Sequence, residues 1–247
     1  MRSLPASPCL VTPLIGRNRG YQMVKATDVS WFKREFSDRI SSAAQGTPLA
    51  VDHVTAIALQ ETGYIWARLQ RKGLPTGKIL ELCVGDTLDE DRGRSAFPKN
   101  KAALLAEPQG TEMFAIARQA LVDMAEHIDD YKPAASNPNK FCHGFGIFQY
   151  DLQFFLEEPQ YFLQRQYANF DAALSRCVKE LKRGLKTVGV AEKASLRDEE
   201  AAHVAIAYNT GRFDPAKGLK QGHESDGKFY GEMYLEYLRL AHAAPAT

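Results

Sequence analysis

One carboxylate sits where an amphipathic helix would normally place an apolar residue. The stretch VDHVTAIALQETGYIWARLQRKG, 51–73, carries Val54, Ile57, Ala58, Ile65 and Leu69 at three- and four-residue spacing. These residues share one helical face with Glu61. A carboxylate among apolar neighbours loses hydration, which disfavours its charged form and raises its pKa. A carboxylic acid that still holds its proton near neutral pH can protonate a leaving oxygen. The plainer alternative is a Glu at the edge of the stripe, paired with Lys or Arg.

Two later stretches add polar amides. GFGIFQ, Gly144 to Gln149, has two glycines two apart. Glycine permits tight turns and close approach of a ligand to the backbone. Ile147 and Phe148 can anchor the loop while Gln149 presents an amide, which donates and accepts at once. VAIAYNTGR, Val204 to Arg212, closes a helix on Tyr208 and Asn209, with Gly211 as a left-handed stop. Taken singly, the first is an ordinary loop-to-helix junction and the second plain helix termination.

Hydrolysis at a leaving oxygen that one acid protonates usually needs a second carboxylate. Glu81, Asp86, Asp89 and Asp151 are candidates, with Asp151 preferred because it follows the Gln149 loop. A helix N-cap is the alternative role for Asp151. His53, His143 and His203 stand near no suitable nucleophile, and adjacent Cys142 and His143 do not form a dyad. Cys9, Cys83, Cys142 and Cys177 match no metal-binding spacing, and DTLDED lacks the glycine and ligand alternation of a calcium loop. No metal and no cofactor are expected. Cys177 reads as a buried free thiol; a Cys83–Cys142 disulfide is possible on sequence grounds.

Helices must hold these groups. Trp31, Phe32, Phe36 and Ile40 predict a helix over 28–44. Asp52 is a suitable N-cap for the Glu61 helix and Gly73 a suitable end. KILELCVG is expected to form a short helix or strand, followed by a polar loop. Phe114, Ala117, Leu121, Met124, Ala125 and Ile128 predict a helix over 111–131. A turn-rich loop, KPAASNPNKFCHG, follows. Leu163, Tyr167, Phe170, Leu174, Cys177, Val178, Leu181 and Leu185 predict one long helix over 161–185. Ser195 and Asp198 resemble a capping box, and a last helix spans about 228–242. No period-2 strand pattern of any length appears. The fold class is mostly α.

The composition fits one folded domain, with 31 basic and 30 acidic side chains among 247 residues and 45% hydrophobic residues. The net charge of +1 gives no nucleic-acid footprint. No apolar run approaches the roughly 20 residues of a membrane span. Residues 1–27, interrupted by Pro5, Pro8 and Pro13, are expected to form a disordered leader without a clear signal peptide, and Met23 is an alternative start.

In order, these motifs resemble the lysozyme-like lytic transglycosylase family. That family carries Glu-Ser-Gly-aromatic on a helix, then Gly-Leu-Met-Gln, then Ala-Ala-Tyr-Asn-Ala-Gly. The counterparts are Glu61-Thr62-Gly63-Tyr64, Gly146-Ile147-Phe148-Gln149 and Ile206-Ala207-Tyr208-Asn209-Thr210-Gly211. Tyr230 or Tyr234 in the tail resembles the aromatic of the family's closing helix. The resemblance implies a lysozyme-like domain over 28–247, with an enlarged insert at about 74–140 and Thr62 in place of the usual Ser.

It also implies cleavage of the β-1,4 bond of peptidoglycan by a monomer. Glu61 would be the acid/base and Tyr208 would orient its proton. Gln149, Asn209, Gly146 and Tyr150 would bind sugar. A hydrolase acting on chitin, chitosan or another β-linked glycan through two carboxylates is the first alternative; a non-catalytic glycan-binding or structural module is the second. Cell-wall glycan lies outside the cytoplasm, so the substrate implies a phage lysin, an effector delivered by a secretion system or a trimmed start.

Overall fold

The computed structural model describes residues 24–88 and 94–246. Helices dominate: α1 Ala26–Ala43, α2 Val51–Arg71, α3 Thr76–Leu82, α4 Lys101–Leu105, α5 Gly110–His127, α6 Lys132–Ser136, α7 Pro159–Leu163, α8 Phe170–Val188, α9 Asp198–Thr210 and α10 Tyr230–Ala243. A small antiparallel sheet joins β1 Val84–Leu88, β2 Phe141–Phe145 and β3 Tyr150–Asp151 in that order. A hairpin of β4 Glu224–Ser225 and β5 Lys228–Phe229 precedes α10. The chain divides into two compact units. Most of the expected leader lies outside the described residues, and α1 begins within the remainder.

Unit 1 comprises 24–60 and 174–246 of the described chain. The α1 stripe Val29, Phe32, Phe36 and Ile40 is buried, as its spacing predicts. On α8, Leu174, Cys177, Leu181 and Leu185 are buried as well. Asp52 does not cap α2, which starts one residue earlier. Its carboxylate instead accepts from Lys33 Nζ at 2.9 Å and meets His242 Nδ1 at 2.8 Å. Lys33 also donates to the Ala244 carbonyl at 2.7 Å. The α9 cap differs in the same way. Asp198 is the first helical residue, and the Arg197 amide donates to the Glu200 carboxylate at 3.1 Å.

Unit 2 comprises 61–173 of the described chain. α5 buries Met113, Ala117, Leu121 and Met124 and packs on β1 and β2. Phe114 meets the Phe141 ring edge-on at 5.4 Å. Every residue of β2 is buried, so its sequence shows no alternation. Part of the segment expected to be a loop is helical, in α6.

The helix predicted over 161–185 is broken. α7 ends at Leu163, Arg165 takes a left-handed φ of 51°, and α8 starts afresh at Phe170. The Asn169 side chain accepts from the Ala172 amide at 3.1 Å at that new start. Cys83, Cys142 and Cys177 are buried free thiols, so the possible Cys83–Cys142 disulfide is not formed. Cys9 lies outside the described residues.

Candidate active site

Unit 2 places Glu61 near the start of its share of α2, part-exposed, while Ile65 one turn on is buried. The next residue, Thr62, is buried and donates its hydroxyl to the Ile147 carbonyl at 2.6 Å. That bond ties the glutamate's helix to the loop carrying Gln149. Cys83 also hydrogen-bonds Thr62, and burial pushes its thiol pKa up.

The Gln149 loop is a tight, strained turn. Gly146 has φ +79° and Gln149 φ +51°, the latter unusual for a residue with a side chain. The Gln149 backbone amide and its Nε2 both donate to the Gly146 carbonyl, at 2.9 and 2.8 Å. Its Oε1 lies over two glycines. A Cβ on Gly85 would come within 2.7 Å of it, and one on Gly144 within 2.2 Å. These glycines face each other across β1 and β2. The close approach expected at Gly144 is therefore occupied by the protein's own carboxamide. Gly146 serves another contact, since a Cβ there would lie 3.0 Å from the Tyr167 carbonyl.

Asp151 is the preferred second acid on sequence grounds, yet it is held in an ion cluster. Arg94 grips it with two nitrogens, Nη2 to Oδ1 at 2.6 Å and Nη1 to Oδ2 at 2.7 Å. His143 Nδ1 lies 3.0 Å from Oδ2, and the Gln153 amide donates to Oδ1 at 2.7 Å. The last bond is the N-cap role, closing a short 3-10 turn. Burial works to raise the Asp151 pKa, but the bonds from Arg94 and His143 prevail and hold it below the usual carboxylate range. Arg94 lies in the polar loop after β1, where its signal in the sequence is only one charge among many.

Asp86 is the carboxylate that Glu61 acts upon. It is buried in β1 with a left-handed φ of 41°. Burial, then the charges of Glu61 and Asp151, raise its pKa well above the usual range; Arg94 opposes them. Glu81 instead lies 3.1 Å from Lys78 and 3.9 Å from Arg165. Asp89 falls outside the described residues. Tyr150 is buried, its ring parallel to Phe154 at 4.6 Å and to Phe162 at 5.8 Å.

The remaining sequence candidates belong to unit 1. Tyr208 is part-exposed at the end of α9, and Asn209 is 3% exposed. Asn209 Oδ1 accepts from the His223 amide at 3.3 Å. Gly211 closes α9 with φ +72°, its amide bonded to the Ala207 carbonyl at 2.8 Å. Tyr230 and Tyr234 are both buried, and Tyr234 donates to the His53 carbonyl at 3.1 Å. Thus Glu61, Gly146, Gln149, Tyr150 and Asp151 share unit 2, while Tyr208 and Asn209 lie in unit 1.

No group of His, Cys, Asp and Glu side chains among the described residues is arranged to hold a metal ion. No described helix is long and apolar enough to cross a membrane. Comparison with protein-family models, curated proteins and solved structures finds no match to this chain.

Proposed function

We propose that the protein is a glycan-cleaving enzyme resembling the lytic transglycosylases, with a lysozyme-like fold and Glu61 as its single acid/base. The observation that carries this reading is the unequal state of three carboxylates in unit 2. Asp151 is fixed as an anion by Arg94 and His143. Asp86 is buried and keeps its proton well above the usual range. Of the three, Glu61 is the part-exposed one and so the one within reach of a substrate. A short antiparallel sheet whose β2–β3 turn is bonded to Thr62, with Gln149 strained in that turn, also supports the reading.

In the proposed reaction Glu61 gives its proton to the glycosidic oxygen of a muramic acid–glucosamine bond, and the C1–O bond breaks. The Glu61 carboxylate then takes the proton of the muramic 6-hydroxyl as that oxygen bonds to C1. The products are a 1,6-anhydro end and a free leaving sugar, and Glu61 regains its proton. The substrate's N-acetyl group assists at the anomeric carbon. Within unit 2, Gln149, Gly146 and Tyr150 contribute to sugar binding.

A second reading is hydrolysis of a β-linked glycan, with Asp86 as the second carboxylate. It is favoured by one observation, the action of Glu61's charge on Asp86. Purified sacculi treated with wild type and with Glu61→Gln, and analysed by mass spectrometry, test both readings. Anhydro-ended products from wild type alone support the first. Reducing ends from wild type alone support hydrolysis. Equal cleavage by both proteins removes Glu61 from the mechanism, and binding without cleavage by either supports a non-catalytic module.

A further inference from the structure

We infer that Tyr64, Arg68 and Asp130 form a saccharide subsite, built where the insert meets the helix of Glu61; this rests on the proposed glycan cleavage. Residues 61, 64 and 68 are spaced by three and four, so they line one face of α2. All three are part-exposed on a helix otherwise largely buried. Arg68 lies about 10 Å along the axis from Glu61, at 1.5 Å of rise per residue. That separation is within the span of two linked sugars.

The three side chains are already joined as a polar platform. Arg68 Nη1 donates to the Tyr64 hydroxyl at 2.7 Å and to Asp130 Oδ2 at 2.7 Å. The Tyr64 hydroxyl donates in turn to Asp130 Oδ2. The guanidinium lies over the Tyr64 ring, 4.4 Å from its centroid. Packing against each other fixes the rotamers of long side chains before any ligand arrives, which lowers the entropy lost on binding.

The chemistry selects the ligand. Arg68 and Asp130 cancel in charge and leave side chains that are 25% and 34% exposed. A guanidinium offers several N–H donors and a carboxylate several acceptor positions. Side by side, they suit neutral vicinal hydroxyl and acetamido groups, which donate and accept in turn. A peptide-stem carboxylate would meet Asp130 as a like charge. The ligand is therefore an uncharged amino-sugar unit of the chain, the second unit from the bond cut at Glu61 and beyond a disaccharide that straddles that bond. Asp130 comes from the turn that ends the insert helix α5, so the insert adds a contact to the glycan.

The test separates binding from turnover by using the Glu61→Gln chain. Glycan strands freed of peptides by an amidase and sorted by length are the probe, with affinity read by calorimetry. Longer strands are expected to bind more tightly than disaccharide. Adding Arg68→Met or Asp130→Asn is expected to weaken the longer strands by about ten- to a hundredfold and leave the disaccharide unchanged. Tyr64→Phe, which removes only a hydroxyl, should show the same length dependence if the Arg68 variant unfolds. Equal affinity at every length in all three variants overturns the subsite and leaves the glycan reading standing. Absence of binding at any length overturns the glycan reading, and the subsite with it.

Discussion

Thr62 Oγ1 donates to the Ile147 carbonyl at 2.6 Å, across 85 positions of sequence. The residue after Glu61 therefore links the glutamate's helix to the Gln149 loop. Thr62→Val should leave that buried carbonyl unsatisfied and cost about 1–3 kcal/mol in denaturant unfolding. Thr62→Ser keeps the hydroxyl and should cost less. Equal losses from the two substitutions would assign the effect to the methyl group and not to the hydrogen bond.

Gly144 makes a second constraint readable by mutation. A methyl group there would sit 2.2 Å from Gln149 Oε1, in a side chain already tied to Gly146. Gly144→Ala should destabilise by about 1–3 kcal/mol through overpacking. Combining it with Gln149→Ala should recover part of the loss, giving a non-additive double-mutant cycle. Simple additivity would show that the carboxamide is not what the glycine accommodates.

Asp86 gives a pH signature. Its folded pKa is raised by burial and by Glu61 and Asp151. The fold therefore favours the protonated form. Its contribution is fully present below the unfolded value of about 3.9 and is lost as pH rises through the folded value. Asp86→Asn should stabilise the protein relative to wild type at alkaline pH and have little effect near pH 3. Carbon-13 carboxyl spectra should show a carboxyl in wild type that titrates well above the usual range and is missing in the variant. A wild-type spectrum with all carboxyls titrating near 4 would refute this.

Arg94 and Asp151 predict the opposite pH behaviour. With side chains 11% and 5% exposed, the pair leaves a buried charge if either partner is removed. Arg94→Met should cost about 3–5 kcal/mol at neutral pH. Asp151 has a depressed pKa, so its stabilisation is present above about 3.9 and disappears as pH falls. His143 is held neutral mainly by burial, against the pull of Asp151, and adds a loss as pH falls below about 6.5. Below about pH 4 the denaturant midpoint should therefore fall more steeply in wild type than in Asp151→Asn. A parallel decline would exclude the cluster as the cause.

Periodicity located α1, α2, α5 and α10 closely, because each buries one stripe. It missed the sheet, since β2 is buried throughout and leaves no alternation to read. It also ran α7 into α8. Leu163, Tyr167 and Phe170 keep helical spacing even though Arg165 turns left-handed between them. In the candidate site, Glu61 and Gln149 stand out in the sequence because a polar residue interrupts apolar ones. Arg94 and Asp130 do not, because each is one charge in a charged segment and gains its partners only through folding.

The route of the chain through unit 1 bears on how the protein folds. Among the described residues, unit 1 takes 24–60 and 174–246, and unit 2 lies between them. Unit 2 is continuous from 61 to 173, so its contacts can form as soon as that stretch leaves the ribosome. Unit 1 must wait for its C-terminal half and close a long loop, which slows assembly more than it lowers final stability. Until then the apolar face of α1 stands without α10, the helix it packs against, and chaperone demand should be greatest in that interval.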